Sequence, residues 1–202
     1  MLKLTTLGDR EKLKRAAGLK LSELFANSKN DGVPTLFLGS GGSALSILEY
    51  VDEQTLSGNL TMGVLDERLG AGPHDRNFWN LAQTNFYKKA KSAGVKFRER
   101  VSEDTNGFEK VYVTQGIGAD GHTAGLFPEK YPDRKFPRRE SVSFEFLRRV
   151  DVSVVYAVGE DKKDALERVF TKEGSLDETP ARVIHEMALV YVYTDLKEVR
   201  GL

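Results

Sequence analysis

"KVYVTQGI", Lys110–Ile117, runs straight into "GADGHTAGLFPE", Gly118–Glu129. The first half is an apolar run of strand length, and it does not alternate with polar residues. Strands of that kind are buried on both faces, as in a parallel sheet covered by helices. The second half holds Asp120 and His122 among glycines and ends on a proline. A strand that stops in such a loop puts it at a carboxyl end, where ligands of open α/β sheets sit.

The same reading extends along the chain. "VPTLFLG" at 33–39, "LTMGVLDE" at 60–67, "VDVSVVYAVG" at 150–159 and "ALVYVYTD" at 188–195 are further strands. Helices are expected over 8–28, where Leu13, Ala17, Leu21 and Leu24 recur near a 3.6 period, and over 43–51 and 77–92. Two more are expected in "DKKDALERVF" and in "TPARVIHE", with Pro180 in its first turn. Alternating strands and helices predict an α/β fold, a three-layer α/β/α sandwich with a mostly parallel sheet. A single domain over residues 1–202 is expected, with no repeat and no long linker. The charged stretch 129–141, "EKYPDRKFPRRES", reads as a surface loop or lid.

Composition narrows the function. Thirty basic and thirty acidic residues cancel, so no global attraction to nucleic acid or an anionic membrane is expected, and any anion site must be local. There is no cysteine, which removes disulfides, thiolate catalysis and Cys-ligated metals and is compatible with a cytoplasmic protein. The N-terminus shows no apolar signal-peptide core, and "VSVVYAV" at 152–158 is too short to span a bilayer. The three histidines show no metal-ligand spacing, so no metal is expected.

Three segments at strand ends can carry chemistry. "LGSGGSA", 38–44, is either a phosphate-binding turn at a helix N-terminus or a tight turn in which Ser43 caps the helix. It lacks a Walker lysine and does not fit G-x-G-x-x-G. In "LDERLGAGPHDRN", 65–77, Asp66, Glu67 and Arg68 close a strand: either Arg68 pairs with a carboxylate, a phosphate or a developing oxyanion, or the triplet is a solvated charge cluster. In the D-G-H loop, Asp120 can orient His122 as a general base, or the histidine is structural beside an Asx turn. Leu126, Phe127 and Pro128 are expected to pack that loop on the core. His74 and His185 have no neighbouring signature. Lys162 reads as an anion contact or as a solvated helix residue.

In order, "FLGSGGSA", "LDER", "GIGADGHTAGLFP", "AVGEDK" and "DETPARV" resemble the 6-phosphogluconolactonases, over about residues 33 to 195. The chain is also similar, more distantly, to the glucosamine-6-phosphate deaminases of the same superfamily. The resemblance implies a Rossmann-like fold and a small sugar-phosphate substrate, with no cofactor and no metal. It implies that Gly41, Gly42 and Ser43 cradle phosphate, that Lys162 and Arg139 add positive charge, and that Asp66 also lies in the substrate site. His122 would be the general base, oriented by Asp120, and Arg68 would bind near the reacting carbonyl. Deaminases of the superfamily carry a glutamate where this chain has Phe127, and a phenyl ring cannot relay a proton.

Two segments depart from the lactonase pattern: Arg76-Asn77 replaces a usual S-N pair, and 129–141 is short with extra arginines. Alternatives are a deaminase, a sugar-phosphate-binding protein without catalysis, and a dinucleotide oxidoreductase, which would need a glycine fingerprint that is missing here. The expected state is a monomer or weak homodimer.

Overall fold

The computed structural model describes residues 1–132, 135, 138–171 and 174–197. The chain opens with strand β1 (Leu2–Thr6) and helix α1 (Arg10–Asp31). Then come β2 (Thr35–Gly39), a 3-10 helix (Gly42–Tyr50), β3 (Leu60–Val64) and the short β4 (Asp66–Arg68). Helices α2 (Asn77–Ala82) and α3 (Asn85–Ser92) precede β5 (Lys96–Phe97) and β6 (Lys110–Gln115). The rest is β7 (Arg139–Ser141), α4 (Phe144–Arg149), β8 (Val152–Tyr156), α5 (Lys163–Phe170), a 3-10 turn (Pro180–His185) and β9 (Val190–Thr194).

Seven strands form one sheet in the order β1-β9-β8-β6-β2-β3-β5, with every neighbouring pair parallel. From β2 the chain winds outward through β3 to β5. From β6 it winds the other way through β8 to β9. The direction therefore reverses between β2 and β6, which opens a crevice beyond their carboxyl ends.

Both faces of the sheet are apolar, which explains the unbroken hydrophobic runs. Leu36, Leu38, Val111, Val113 and Val155 pack on one side with Phe146, Leu147, Leu166 and Val183. Phe37, Met62, Tyr112, Val154 and Tyr156 pack on the other with Leu13, Leu21, Phe25 and Ile47. Period-2 alternation thus feeds two cores, and the expected three-layer sandwich is the one observed. Phe25 and Phe37 meet edge to face at 5.2 Å. Each fully buried side chain of this size contributes roughly 1.5–3 kcal/mol.

Helix α1 is longer than expected. Asp9 caps its start by accepting from Glu11 and Lys12 N–H, and Gly32 closes its end. The expected helix over 77–92 is two helices, because Thr84 accepts the Tyr87 N–H at 3.1 Å and starts a new one. The expected strand 60–67 also divides. The chain leaves the main sheet after Val64, and β4 pairs antiparallel with β7. Part of the supposed loop 129–141 is therefore a strand, while residues 133–134 and 136–137 lie outside the described residues. Strand β1 was not expected; it is a half-exposed strand at the edge of the sheet, and among the described residues it pairs with β9, far away in sequence. Among the described residues, no helix is long and apolar enough to cross a membrane.

Candidate active site

The D-G-H loop leaves the end of β6 and is tied back to the sheet by a buried polar chain. Ser153 Oγ donates to Gln115 Oε1 at 2.7 Å, and Gln115 Nε2 donates to Thr123 Oγ1 at 3.0 Å. Thr123 Oγ1 in turn donates to the Gly116 carbonyl at 2.9 Å. Within the loop, Gly118 N–H donates to the His122 carbonyl and Gly121 N–H to the Gly118 carbonyl, both at 2.9 Å. Asp120 Oδ1 accepts the His122 backbone N–H at 3.0 Å and lies 2.6 Å from His122 Nδ1. A methyl group on Gly118 would fall 2.0 Å from that nitrogen, so the pair lies directly on bare backbone.

Electrostatics favour the ionised form of Asp120. Burial alone would raise the Asp120 carboxyl, but hydrogen bonds from the His122 ring and backbone outweigh it and hold the carboxyl below its ordinary value. An ionised Asp120 can accept a hydrogen bond from Nδ1–H, the arrangement that would turn Nε2 toward a substrate as an acceptor. Phe127 does not pack into the core as expected. Its ring stacks on the imidazole at 4.4 Å with an interplanar angle of 21°. The Arg139 guanidinium covers the same phenyl ring at 4.9 Å. Leu126 is the residue that packs on the core. Ala124, buried beside the site, has φ +50°, a conformation that costs a non-glycine residue roughly 1–2 kcal/mol.

Across the crevice, the glycine turn follows β2. Ser43 is exposed and does not cap the helix: the 3-10 helix begins one residue earlier, at Gly42, and Gly41 in the cap position makes no side-chain bond. The first N–H groups of that helix face no carbonyl of the preceding turn, as at any helix N-terminus. Lys162 ends a 3-10 turn (Glu160–Lys162) after β8, with Nζ 3.0 Å from Asp161 Oδ2.

The D-E-R strand is not a solvated charge cluster. Asp66 and Glu67 are both buried. Asp66 Oδ2 accepts from Arg139 Nη1 at 2.8 Å. Burial pushes the Asp66 carboxyl above its ordinary value, and Arg139 and Arg68 pull part of that back. Glu67 accepts the Asn77 and Phe78 N–H groups at 2.8 and 3.0 Å and so starts α2. Arg68 Nη1 donates to the Asp75 carbonyl.

These parts enclose one cleft of about 490 Å3, within the usual range for a small-molecule site. Every expected site residue except Asp120 reaches its wall, and Asp120 holds His122 from behind. Asn77, Asp75 and Lys135 are among the lining residues that were not expected. Asn77 is buried, donates Nδ2 to the Asp66 carbonyl at 2.9 Å, and its Oδ1 has no partner among the described residues. Asp75 and Lys135 come from the two divergent segments and lie 3.7 Å apart. The arginine that precedes Asn77 and the charge density around Lys135 masked them as surface features. The other histidines serve packing: His74 meets Trp79 edge to face at 4.5 Å, and His185 Nε2 bonds the Val169 carbonyl at 2.8 Å. Among the described residues, no three His, Asp or Glu side chains are grouped to hold a metal ion.

Residues 8–192 match the family described as glucosamine-6-phosphate isomerases/6-phosphogluconolactonase. The chain is 24% identical to a 6-phosphogluconolactonase of Borreliella burgdorferi over 85% of this chain and 87% of the other. Its fold is similar to that of a 6-phosphogluconolactonase from Leishmania guyanensis, with a TM-score of 0.73 at 18% identity over 96% of each chain. It is equally similar to a monomeric glucosamine-6-phosphate deaminase, with a TM-score of 0.72 at 16% identity over 98% of each chain. Both branches therefore share this architecture, and the family match spans nearly the whole chain. The protein belongs to the glucosamine-6-phosphate isomerase/6-phosphogluconolactonase family.

Proposed function

We propose that this protein hydrolyses 6-phosphoglucono-1,5-lactone to 6-phosphogluconate, with His122 as general base. The observation that carries the reading is the Asp120–His122 contact of 2.6 Å, with His122 lining the same cleft as Arg68, the glycine turn and Lys162. His122 Nε2 takes a proton from water, and the hydroxide attacks C1 of the lactone. Charge develops on the carbonyl oxygen, where Arg68 and loop N–H groups stabilise it. Asp120 stabilises the imidazolium, which then returns its proton to the ring oxygen as the C1–O bond breaks. The phosphate rests against Gly41–Ser43 and Lys162, and Arg139 supports this charge balance through Asp66 and the face of Phe127.

Fold similarity does not separate lactonase from deaminase, so the residue at position 127 must. Phe127 supports the lactonase reading because it offers no proton where a deaminase holds a glutamate. The substrate reading is tested by offering fresh 6-phosphogluconolactone and, separately, glucosamine 6-phosphate. Hydrolysis above the spontaneous rate without ammonia release is expected. Ammonia release from the amino sugar, with no lactone turnover, would overturn the reading.

A further inference from the structure

The lysine that faces the cleft is held from outside it. Lys162 N–H donates to the Gly159 carbonyl at 2.9 Å, closing the turn that presents the ammonium. Gly159 has φ +110°, and a methyl group there would fall 2.5 Å from Asp161 Oδ1, so the turn is built around a glycine whose conformation must be held by its partners. Its N–H donates to Asp195 Oδ1 at 2.8 Å. The other oxygen of that carboxylate, Oδ2, meets Arg10 Nε at 2.5 Å. Asp195 directly follows β9 and Arg10 begins α1, so two elements remote in sequence converge behind one turn. Only 9% of the Asp195 side chain is exposed, which strengthens both charge-assisted bonds.

We propose that Asp195, locked by Arg10, is a positioning residue for Lys162: it fixes the Gly159 turn so that the ammonium meets the anionic end of the substrate. The inference rests on the reading of Lys162 as a phosphate contact. A carboxylate that merely tethered the end of β9 would stabilise the fold by the same amount whether or not residue 162 carried a charge. A positioning residue loses its effect on anion binding once the lysine is gone.

A double-mutant cycle separates the two. 6-Phosphogluconate, and separately inorganic phosphate, is titrated calorimetrically into wild type, Lys162→Ala, Asp195→Ala and the double variant. Lys162→Ala is expected to weaken binding about 10- to 100-fold, the range for a hydrogen bond to a charged group. Asp195→Ala is expected to weaken it about fivefold, with no further loss in the double variant. The inference is overturned if Asp195→Ala binds like wild type, or if its loss recurs undiminished on the Lys162→Ala background. If thermal unfolding shows that Asp195→Ala does not fold, Arg10→Gln takes its place in the cycle. That arginine is 59% exposed, and an effect of about twofold that vanishes without Lys162 is expected. If Lys162→Ala itself binds like wild type, the phosphate reading falls and the inference falls with it. If only Asp195→Ala is silent, the phosphate reading stands and the inference alone falls.

Discussion

The two ends of the cleft are built to different tolerances. At the base end, His122 is fixed on its edge by Asp120 and on one face by Phe127, while Gln115 and Thr123 pin the loop to the sheet. At the proposed anion end, the glycine turn is exposed at Gly42 and Ser43, and although Asp195 holds the backbone of the Lys162 turn, the ammonium itself is paired among the described residues with Asp161, whose side chain is 65% exposed. Proton transfer needs its partners within hydrogen-bond reach and in line. Attraction between a phosphate and an ammonium falls off slowly with distance and tolerates a flexible stem. On the proposed reading, the contrast would give rate to one end and affinity to the other.

Substitutions can break this contrast, and the largest effect belongs to the base. His122→Ala is expected to lower kcat about 10²–10⁴-fold while KM stays near that of wild type, as read from steady-state lactone hydrolysis. Asp120→Asn keeps the shape but no longer favours the Nδ1–H tautomer, so a kcat loss of about 10²-fold or more is expected in the same assay. Phe127→Leu removes the stack without removing a proton carrier. A loss of about tenfold in kcat, largely rescued by Phe127→Tyr, would show that the ring positions the imidazole.

At the anion end, Lys162→Ala should raise KM about 10- to 100-fold and leave kcat little changed. The smallest effect has the opposite sign: Asp161→Asn removes a competitor for Lys162, and KM should fall by about twofold. Stability provides an independent check on Asp120. Its carboxyl is held below the ordinary value, so its ionised form stabilises the fold above about pH 4. That contribution is lost as pH falls from about 4 through the lower folded value. Thermal unfolding should therefore show wild type more stable than Asp120→Asn at neutral pH, with the gap closing in acid.

The legible parts of the molecule were those that depend on short-range pattern. Unbroken apolar runs such as Val152–Tyr156 announced strands with two buried faces, and the D-G-H spacing placed Asp120 against His122. What stayed hidden depends on contacts between distant segments. Strand β7 exists because Arg139–Ser141 meets Asp66–Arg68 across more than 70 residues, and no local pattern marks it. Asn77 and Gln115 are polar letters whose burial follows from where α2 and β6 lie. Phe127 reads as a core residue by composition, yet its ring serves the histidine. Ser43 fits the preference for a helix cap, but Gly42 starts the 3-10 helix first.

The division of labour is tested most directly by measuring kcat and KM for 6-phosphogluconolactone in wild type, His122→Ala and Lys162→Ala, in one assay corrected for spontaneous hydrolysis. The account predicts that His122→Ala loses kcat and keeps KM, while Lys162→Ala keeps kcat and loses affinity. A His122→Ala enzyme that turns over as fast as wild type would contradict it.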